Sequence, residues 1–156
     1  MSRRRLPGLT TRAPVLAALL LSASCSGAVS VAEPQPDPAS RANCTALLAA
    51  LPDQVLQSTR RPTEPGVWTR AWGDPPITLR CGVSAPPGLG PTSECLEVNG
   101  VGWFSEDAEG GVLFTTIGRA VFVEVGVPHQ YAPEVSPLAD LAAAVSAHDP
   151  LLQACR

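Results

Sequence analysis

Aromatic and guanidinium side chains are the residue types in this chain best suited to hold a ligand. Trp72 and Trp103 are two of only three tryptophans, and Arg80 lies between them in the sequence. If these three share the outer face of a sheet, the rings can stack on a sugar and the guanidinium can hold a carboxylate or phosphate bidentately. The candidate ligand-binding residues are Arg61, Trp72, Asp74, Arg80, Trp103 and Arg119. This set indicates recognition of a glycan or an anionic polymer.

A second interpretation of the same residues stays open. Tryptophans on strands are commonly core residues, and the arginines can pair with the surplus of carboxylates. A separate possibility is that the chain binds a protein partner in an envelope assembly, either a membrane enzyme or a transporter.

Catalytic patterns are weak in comparison. The sequence has no G-x-S-x-G motif, no phosphate-binding glycine loop and no C-x-x-C pair. The only histidines are His129 in a predicted loop and His148 at a predicted helix end, and the acidic run 106–109 is typical of a solvated turn. We therefore expect binding rather than catalysis, with no catalytic residue, metal site or cofactor, and keep a small hydrolase or its accessory subunit as the alternative.

The N-terminus has the pattern of an export signal. Four arginines precede a short apolar run at 14–23, which is too short to span a bilayer, since a span needs about 20 residues. In one interpretation Leu21–Cys25 is an imperfect lipobox, and Cys25 becomes the lipidated first residue. In the other, cleavage follows Ala32 in the A-x-A-like sequence at 30–32. Either way the mature protein is expected outside the cytoplasm, bound to the outer face of the membrane through Cys25 or secreted.

The leader leaves a simple domain organisation. We expect a signal peptide within residues 1–32, a Pro-rich tether at 33–40 and one globular domain at 41–156. After the leader the chain has 7 arginines and 14 carboxylates, a net charge of −7, and there is no lysine anywhere. Such an acidic domain is not expected to bind nucleic acid, and charge alone would not attract it to anionic lipid.

The hydrophobic pattern predicts an α+β fold. Asn43 is predicted to cap a helix over 44–51, and Ser136 is predicted to cap a second helix that Pro137 opens. Between them, alternating apolar residues predict about five antiparallel strands in a meander, with both helices packed on one face. The predicted strand segments are 77–83, 94–98, 101–104, 112–116 and 119–127, and 67–72 is a candidate for a further strand. The Asn99-Gly100 pair between two of them is typical of a type I′ hairpin turn.

Strand parity also favours one pairing of the four domain cysteines. Cys81 alternates with apolar strand residues and points into the core, whereas Cys95 points to the outer face, so a bridge between these two is disfavoured. Cys44 lies on the apolar stripe of the first helix and can meet Cys81. The predicted disulfides are therefore Cys44–Cys81 and Cys95–Cys155.

Several segments taken together resemble one known family. They are C-x-x-LL…LP at 44–52, Arg60-Arg61, AWGDPP at 71–76, LRCGV at 79–83, NGVGW at 99–103 and Gly118-Arg119. This combination resembles the domain-of-unknown-function family 3515, exported proteins of high-GC Gram-positive bacteria that are often described as candidate lipoproteins. The resemblance implies an extracytoplasmic location and no particular activity.

Overall fold

A computed structural model describes residues 27–155 of the chain. The leader interpretations that concern residues 1–26, including lipidation of Cys25, lie outside the described residues. The elements are β1 Val29–Ser30, α1 Ser40–Ala50, β2 Gln54–Val55, β3 Ser58–Arg61, β4 Thr63–Glu64, β5 Thr69–Trp72, β6 Ile77–Cys81, β7 Leu96–Val98, β8 Val101–Ala108, β9 Gly111–Thr116, β10 Val123–Pro128 and α2 Ser136–His148. A single 3-10 turn covers His129–Tyr131.

The main sheet is antiparallel, and its strands run in the order β2-β3-β5-β6-β10-β9-β8-β7. A separate two-stranded sheet pairs β1 with β4 in parallel. The α+β class is confirmed, but the expected five-stranded meander is wrong: eight strands form the main sheet, and β10 lies between β6 and β9. The connection from β6 to β7 therefore crosses from the sheet interior to its far edge.

The centre of the sheet follows the predicted alternation. On β6, Leu79 and Cys81 are fully buried, and on β10 Val125 and Val123 are fully buried opposite them. Residues opposite each other on neighbouring strands share a face, so this row forms one apolar surface. Buried residues of α1 and α2 belong to the same core, so both helices pack against this surface.

The first helix begins earlier than predicted, at Ser40, and Asn43 lies inside it rather than at its cap. The carboxylate of Asp37 accepts hydrogen bonds from the amides of Ala39 at 2.8 Å and Ser40 at 3.2 Å, and from the Ser40 hydroxyl. These bonds satisfy donors that a helix start leaves free, and they lower the pKa of Asp37. The second helix has Pro137 in its first turn, as predicted, but Ser136 is its first residue and the cap position is Val135.

Both predicted disulfides are present. Cys44–Cys81 joins α1 to β6 with a Cα–Cα distance of 5.6 Å, and Cys95–Cys155 joins the entry of β7 to the C-terminal segment at 5.7 Å. The Asn99-Gly100 turn is also confirmed, because both residues have the positive φ that a type I′ turn needs, 48° and 78°.

The segment predicted as a tether is held on the domain. The Glu33 carboxylate accepts hydrogen bonds from the amides of Gly66 and Trp68. Just before it, Val31 is buried and its amide donates to the Glu64 carbonyl at 3.2 Å. The packed part of the chain therefore includes β1 and residues 31–40 and does not begin at residue 41.

Asp149, at the end of α2, gives the fold a dependence on pH. The residue is 1% exposed; one carboxylate oxygen accepts from the Val121 amide at 3.0 Å, and the other is buried without a partner among the described residues. Burial raises the pKa of Asp149 from 3.8 to about 6, although the Val121 amide and the Arg119 charge act in the opposite direction. The folded state therefore favours the protonated carboxyl.

We expect the domain to become more stable as the pH falls from about 7 to about 4. A carboxyl whose pKa is higher in the folded state adds to the free energy of unfolding. This contribution is fully present below the pKa of the unfolded state and is lost as the pH rises through the pKa of the folded state. A rise of the Asp149 pKa from 3.8 to about 6 corresponds to about 3 kcal/mol. Urea unfolding across this range should show the rise, and it should be absent in Asp149→Asn, which is uncharged throughout. A wild-type profile parallel to that of the variant would contradict the assignment.

Candidate functional site

Three arginines line one cleft where β3, β4 and the start of β5 meet. The cleft has a volume of about 410 Å³, and its lining residues are Arg60, Arg61, Pro62, Thr63, Pro65, Gly66 and Arg70. We call it the arginine cleft, after Arg60, Arg61 and Arg70. Half of the six arginines within residues 27–155 are thus gathered in one place on an acidic domain.

The strand register places Arg60 and Arg70 on one face of the sheet and Arg61, the next residue after Arg60, on the other face at the same edge. Arg60 and Arg61 are consecutive on β3, where they pair with Trp72 and Ala71 of β5, and Arg70 is the second residue of β5. Because neighbouring strands lie about 4.8 Å apart, side chains from β3 and β5 can meet at this edge.

The loop between β4 and β5 forms the remaining wall. Thr69 donates its hydroxyl to the Thr63 hydroxyl at 3.0 Å, and Thr63 donates to the Thr69 carbonyl at 3.1 Å. Gly66 has a φ of 81°, and a Cβ there would collide with the Thr63 carbonyl oxygen, so the tight turn requires glycine. The loop is therefore fixed by its own hydrogen bonds.

Backbone carbonyls, rather than carboxylates, hold the three guanidinium groups in place. Arg60 donates to the carbonyls of Leu51 and Pro52, the latter at 2.9 Å. Arg61 donates to the carbonyls of Gly73 at 3.0 Å and Gly27 at 3.2 Å. Arg70 donates to the carbonyls of Thr69 at 2.7 Å and Gly66 at 3.3 Å. These bonds fix the side chains without neutralising their charge.

The carboxylates that pair with Arg60 and Arg61 are highly exposed. Arg60 lies 3.7 Å from Asp53 and Arg61 lies 3.5 Å from Asp74, but the two acidic side chains are 93% and 88% exposed. Exposed pairs of this kind contribute about 0–1 kcal/mol. Within residues 27–155 the Nε atoms of Arg60 and Arg61 are buried and have no hydrogen-bond partner. The site therefore has unsatisfied donors and positive charge.

The electrostatics of Arg70 agree with this description. Burial and the nearby charge of Arg60 lower the pKa of Arg70, while Glu33 acts in the opposite direction. The Glu33 carboxylate is itself occupied by the amides of Gly66 and Trp68. An anion entering the cleft would relieve the repulsion between the two guanidinium groups.

The predicted site residues do not come together as one surface. The expectation that Trp72, Arg80 and Trp103 share the outer face is wrong, because both tryptophans are fully buried in the core. Trp72 pairs with Ile77, which places it on the core face of the sheet, and its indole Nε1 donates to the Pro52 carbonyl at 3.0 Å. Arg80 lies on the opposite face of the same strand pair.

The other predicted arginines differ in their partners. Arg80 forms an ion pair with the mostly buried Glu124 at 2.7 Å, beside a second cleft of about 510 Å³ that Glu106 also lines. Arg119 donates to the carbonyls of Asp149 at 2.6 Å and Gly100 at 3.0 Å, and so ties the end of α2 to the β7–β8 turn. Of the predicted set, Arg61 lines the arginine cleft and Asp74 borders it.

Arg60 and Arg70 were not among the predicted site residues. The adjacent Arg60-Arg61 pair was a usable signal, because it places two positive charges together in an acidic domain. Nothing in the sequence places Arg70 beside them, because that contact depends on the pairing of β3 with β5.

Two further features concern other kinds of site. His129 Nδ1 lies 2.7 Å from Glu134 on an exposed turn. Within the part of the chain that the structure describes, no cluster of His, Cys, Asp and Glu could hold a metal ion, and no helix is long and apolar enough to cross a membrane.

Comparison with known proteins gives one match. The model of a family described as "Protein of unknown function (DUF3515)" covers residues 9–153. The chain belongs to the DUF3515 family. No curated protein and no solved structure matches it. The family therefore brings no assigned activity to this DUF3515 protein, and its chemistry has to be inferred from its own residues.

Proposed function

We propose that this DUF3515 protein is an exported, lipid-anchored module of the cell envelope that binds an anionic group in the arginine cleft. The observation that carries the proposal is that three guanidinium groups are fixed by carbonyls, while the carboxylates that pair with Arg60 and Arg61 are highly exposed. Phosphate and carboxylate are the groups that such a fork-shaped donor holds best. Stacking on a sugar ring is disfavoured, because Trp72 and Trp103 are buried.

Two disulfides support the extracytoplasmic location. Disulfides persist in oxidising compartments and are rare in the cytosol of mesophiles. The bridges Cys44–Cys81 and Cys95–Cys155 use the four cysteines after the leader. This leaves Cys25 as the odd cysteine, which lipidation would account for.

The position of β1 supports cleavage before Cys25 over cleavage after Ala32. Cleavage after Ala32 would remove the strand that pairs with β4, the buried Val31 and the Gly27 carbonyl that binds Arg61. Cleavage before Cys25 keeps all three. The mass of the mature protein from the membrane fraction decides this: a diacylated N-terminal Cys25 supports the proposal, and a chain that starts at Glu33 overturns the anchor.

The anion proposal predicts a binding constant that depends on Arg70. The probe is a glycerol-phosphate oligomer, titrated by calorimetry into the secreted Cys25→Ser protein with its disulfides formed. A charged hydrogen bond is worth about 1.5–3 kcal/mol, so Arg70→Gln should weaken binding by about tenfold or more. Arg70 is the best choice for this change, because it donates to carbonyls only one and four residues away in the chain. Its loss should leave the fold intact.

Arg41→Gln is the matched control, since it removes the same charge from a residue that does not line the cleft. The Arg41→Gln variant should retain the wild-type affinity. Higher salt should weaken binding by the wild type and by this variant. Equal losses in the two variants, or no heat with the wild type, would overturn the anion site. Melting curves of each variant separate loss of binding from loss of folding.

A further inference from the structure

We propose that the arginine cleft faces the membrane and holds the phosphate of anionic phospholipid headgroups. This inference rests on the proposed function, because it takes the anchor on Cys25 and the anion preference of the cleft as given. It adds the identity of the anion and the orientation of the domain.

The described part of the chain begins beside the cleft. The Gly27 carbonyl accepts a hydrogen bond from Arg61 Nη2 at 3.2 Å, and the Val29 amide donates to the Pro62 carbonyl at 2.8 Å. Cys25 is two residues before Gly27, and two residues reach at most about 7 Å. A lipid on Cys25 therefore enters the membrane close to Arg61, and no long tether separates the domain from the leaflet.

Apolar side chains frame the same surface. Pro62 and Pro65 are exposed at the cleft, and Val67, at the tip of the loop that follows, is 58% exposed. Trp68, next to Val67, is half-buried. An indole beside arginines and exposed apolar residues suits the interface between headgroups and acyl chains, where one end of the ring is apolar and the other is wet.

The distribution of charge determines which face of the domain turns toward an anionic membrane. The described residues contain 14 carboxylates and six arginines, so most of the surface is repelled by an anionic leaflet. The arginine cleft is the exception, and each arginine near such a surface contributes about 1 kcal/mol. Three arginines are too few to recruit the protein from solution, but they suffice to orient a domain that is already anchored. The net negative charge of the domain is not expected to attract it to anionic lipid. The arginine cleft differs, because its charge is positive.

The test measures which residues approach the bilayer in anchored protein. The mature chain from Cys25 is coupled through that thiol to a maleimide phospholipid in vesicles, while the other four cysteines are in disulfides. Brominated acyl chains in the vesicle quench nearby tryptophan, and the difference between wild type and Trp68→Phe isolates the emission of Trp68. Vesicles of phosphatidylcholine with phosphatidylglycerol are compared with phosphatidylcholine alone.

We expect Trp68 to be quenched several-fold more in the phosphatidylglycerol vesicles, and Arg70→Gln to abolish this difference. A matched reporter is Glu109→Trp in the Trp68→Phe background. Glu109 is exposed in the turn after β8, four strands from β5 and so about 19 Å away across the sheet. This reporter should not be quenched in either vesicle.

Equal quenching of the two reporters, or no dependence on phosphatidylglycerol, overturns the inference. If the soluble glycerol-phosphate oligomer still binds with dependence on Arg70, the anion site stands and its ligand is a free polymer. If the oligomer also fails to bind, the proposed function falls with the inference.

Discussion

Replacing both Cys44 and Cys81 with alanine should lower the free energy of unfolding by about 4 kcal/mol. In the chain-entropy model, a bridge that spans 37 residues lowers the entropy of the unfolded chain and so stabilises the fold by about 4 kcal/mol. The replacements also remove packing contacts, because both cysteines are completely buried where α1 meets β6. Urea denaturation monitored by circular dichroism measures the change.

The second bridge provides the matched control. Cys95–Cys155 spans 60 residues against 37 for Cys44–Cys81, so the entropy model assigns the two bridges nearly equal stabilisation. Cys95 and Cys155 are only half-buried, so their replacement by alanine should cost less than that of the core pair. A double variant of Cys44 and Cys81 with the wild-type unfolding midpoint would show that the core bridge is not what joins α1 to the sheet.

Trp72→Ala should lower the free energy of unfolding by about 3–5 kcal/mol. Truncation of a buried aromatic side chain to alanine leaves a cavity, and losses of this size are usual. Trp72 is fully buried, and its indole also donates to the Pro52 carbonyl, which helps to hold the chain after α1. Thermal and urea unfolding of the variant provide the measurement.

Trp68→Ala is the control for this prediction, since Trp68 is half-buried and its loss should cost clearly less. The pair also decides between the two interpretations of the tryptophans. If the Trp72→Ala protein is as stable as the wild type but loses ligand binding, Trp72 lies on the outer face and its placement in the core is wrong.

The sequence predicted the parts of the fold in which local pattern and tertiary packing agree. β6 and β10 alternate apolar and polar residues because one face packs against both helices, and that alternation is visible without a structure. The same parity gave the disulfides, since Cys81 lies in the buried row. The Asn99-Gly100 turn was predicted because few other pairs adopt its backbone angles.

The short strands could not be predicted in this way. β3 has the sequence STRR and β4 has TE, so neither has an apolar face to reveal it. Their existence depends on hydrogen bonds to β5 and β1, which are set by the rest of the fold. The arginine cleft lies on these strands, and therefore its location was hidden although Arg61 itself was predicted.

The tryptophan prediction failed for a related reason. Parity assigns a strand residue to one of two faces, but it does not say which face the helices cover. The register of Trp72 with Ile77 decides this for β5, and Trp103 shares the face of the buried Val101 on β8. Pairing partners of this kind are a property of the folded sheet.

The most direct test of the account is to observe the guanidinium groups while an anion is added. The Nε–H signals of arginine can be followed by NMR in the ¹⁵N-labelled Cys25→Ser protein during titration with the glycerol-phosphate oligomer. We predict that the signals of Arg60, Arg61 and Arg70 move together and saturate, while those of Arg80 and Arg119, which do not line the arginine cleft, stay in place. Signals that do not move, or that move equally for all five arginines, would contradict the arginine cleft as a binding site.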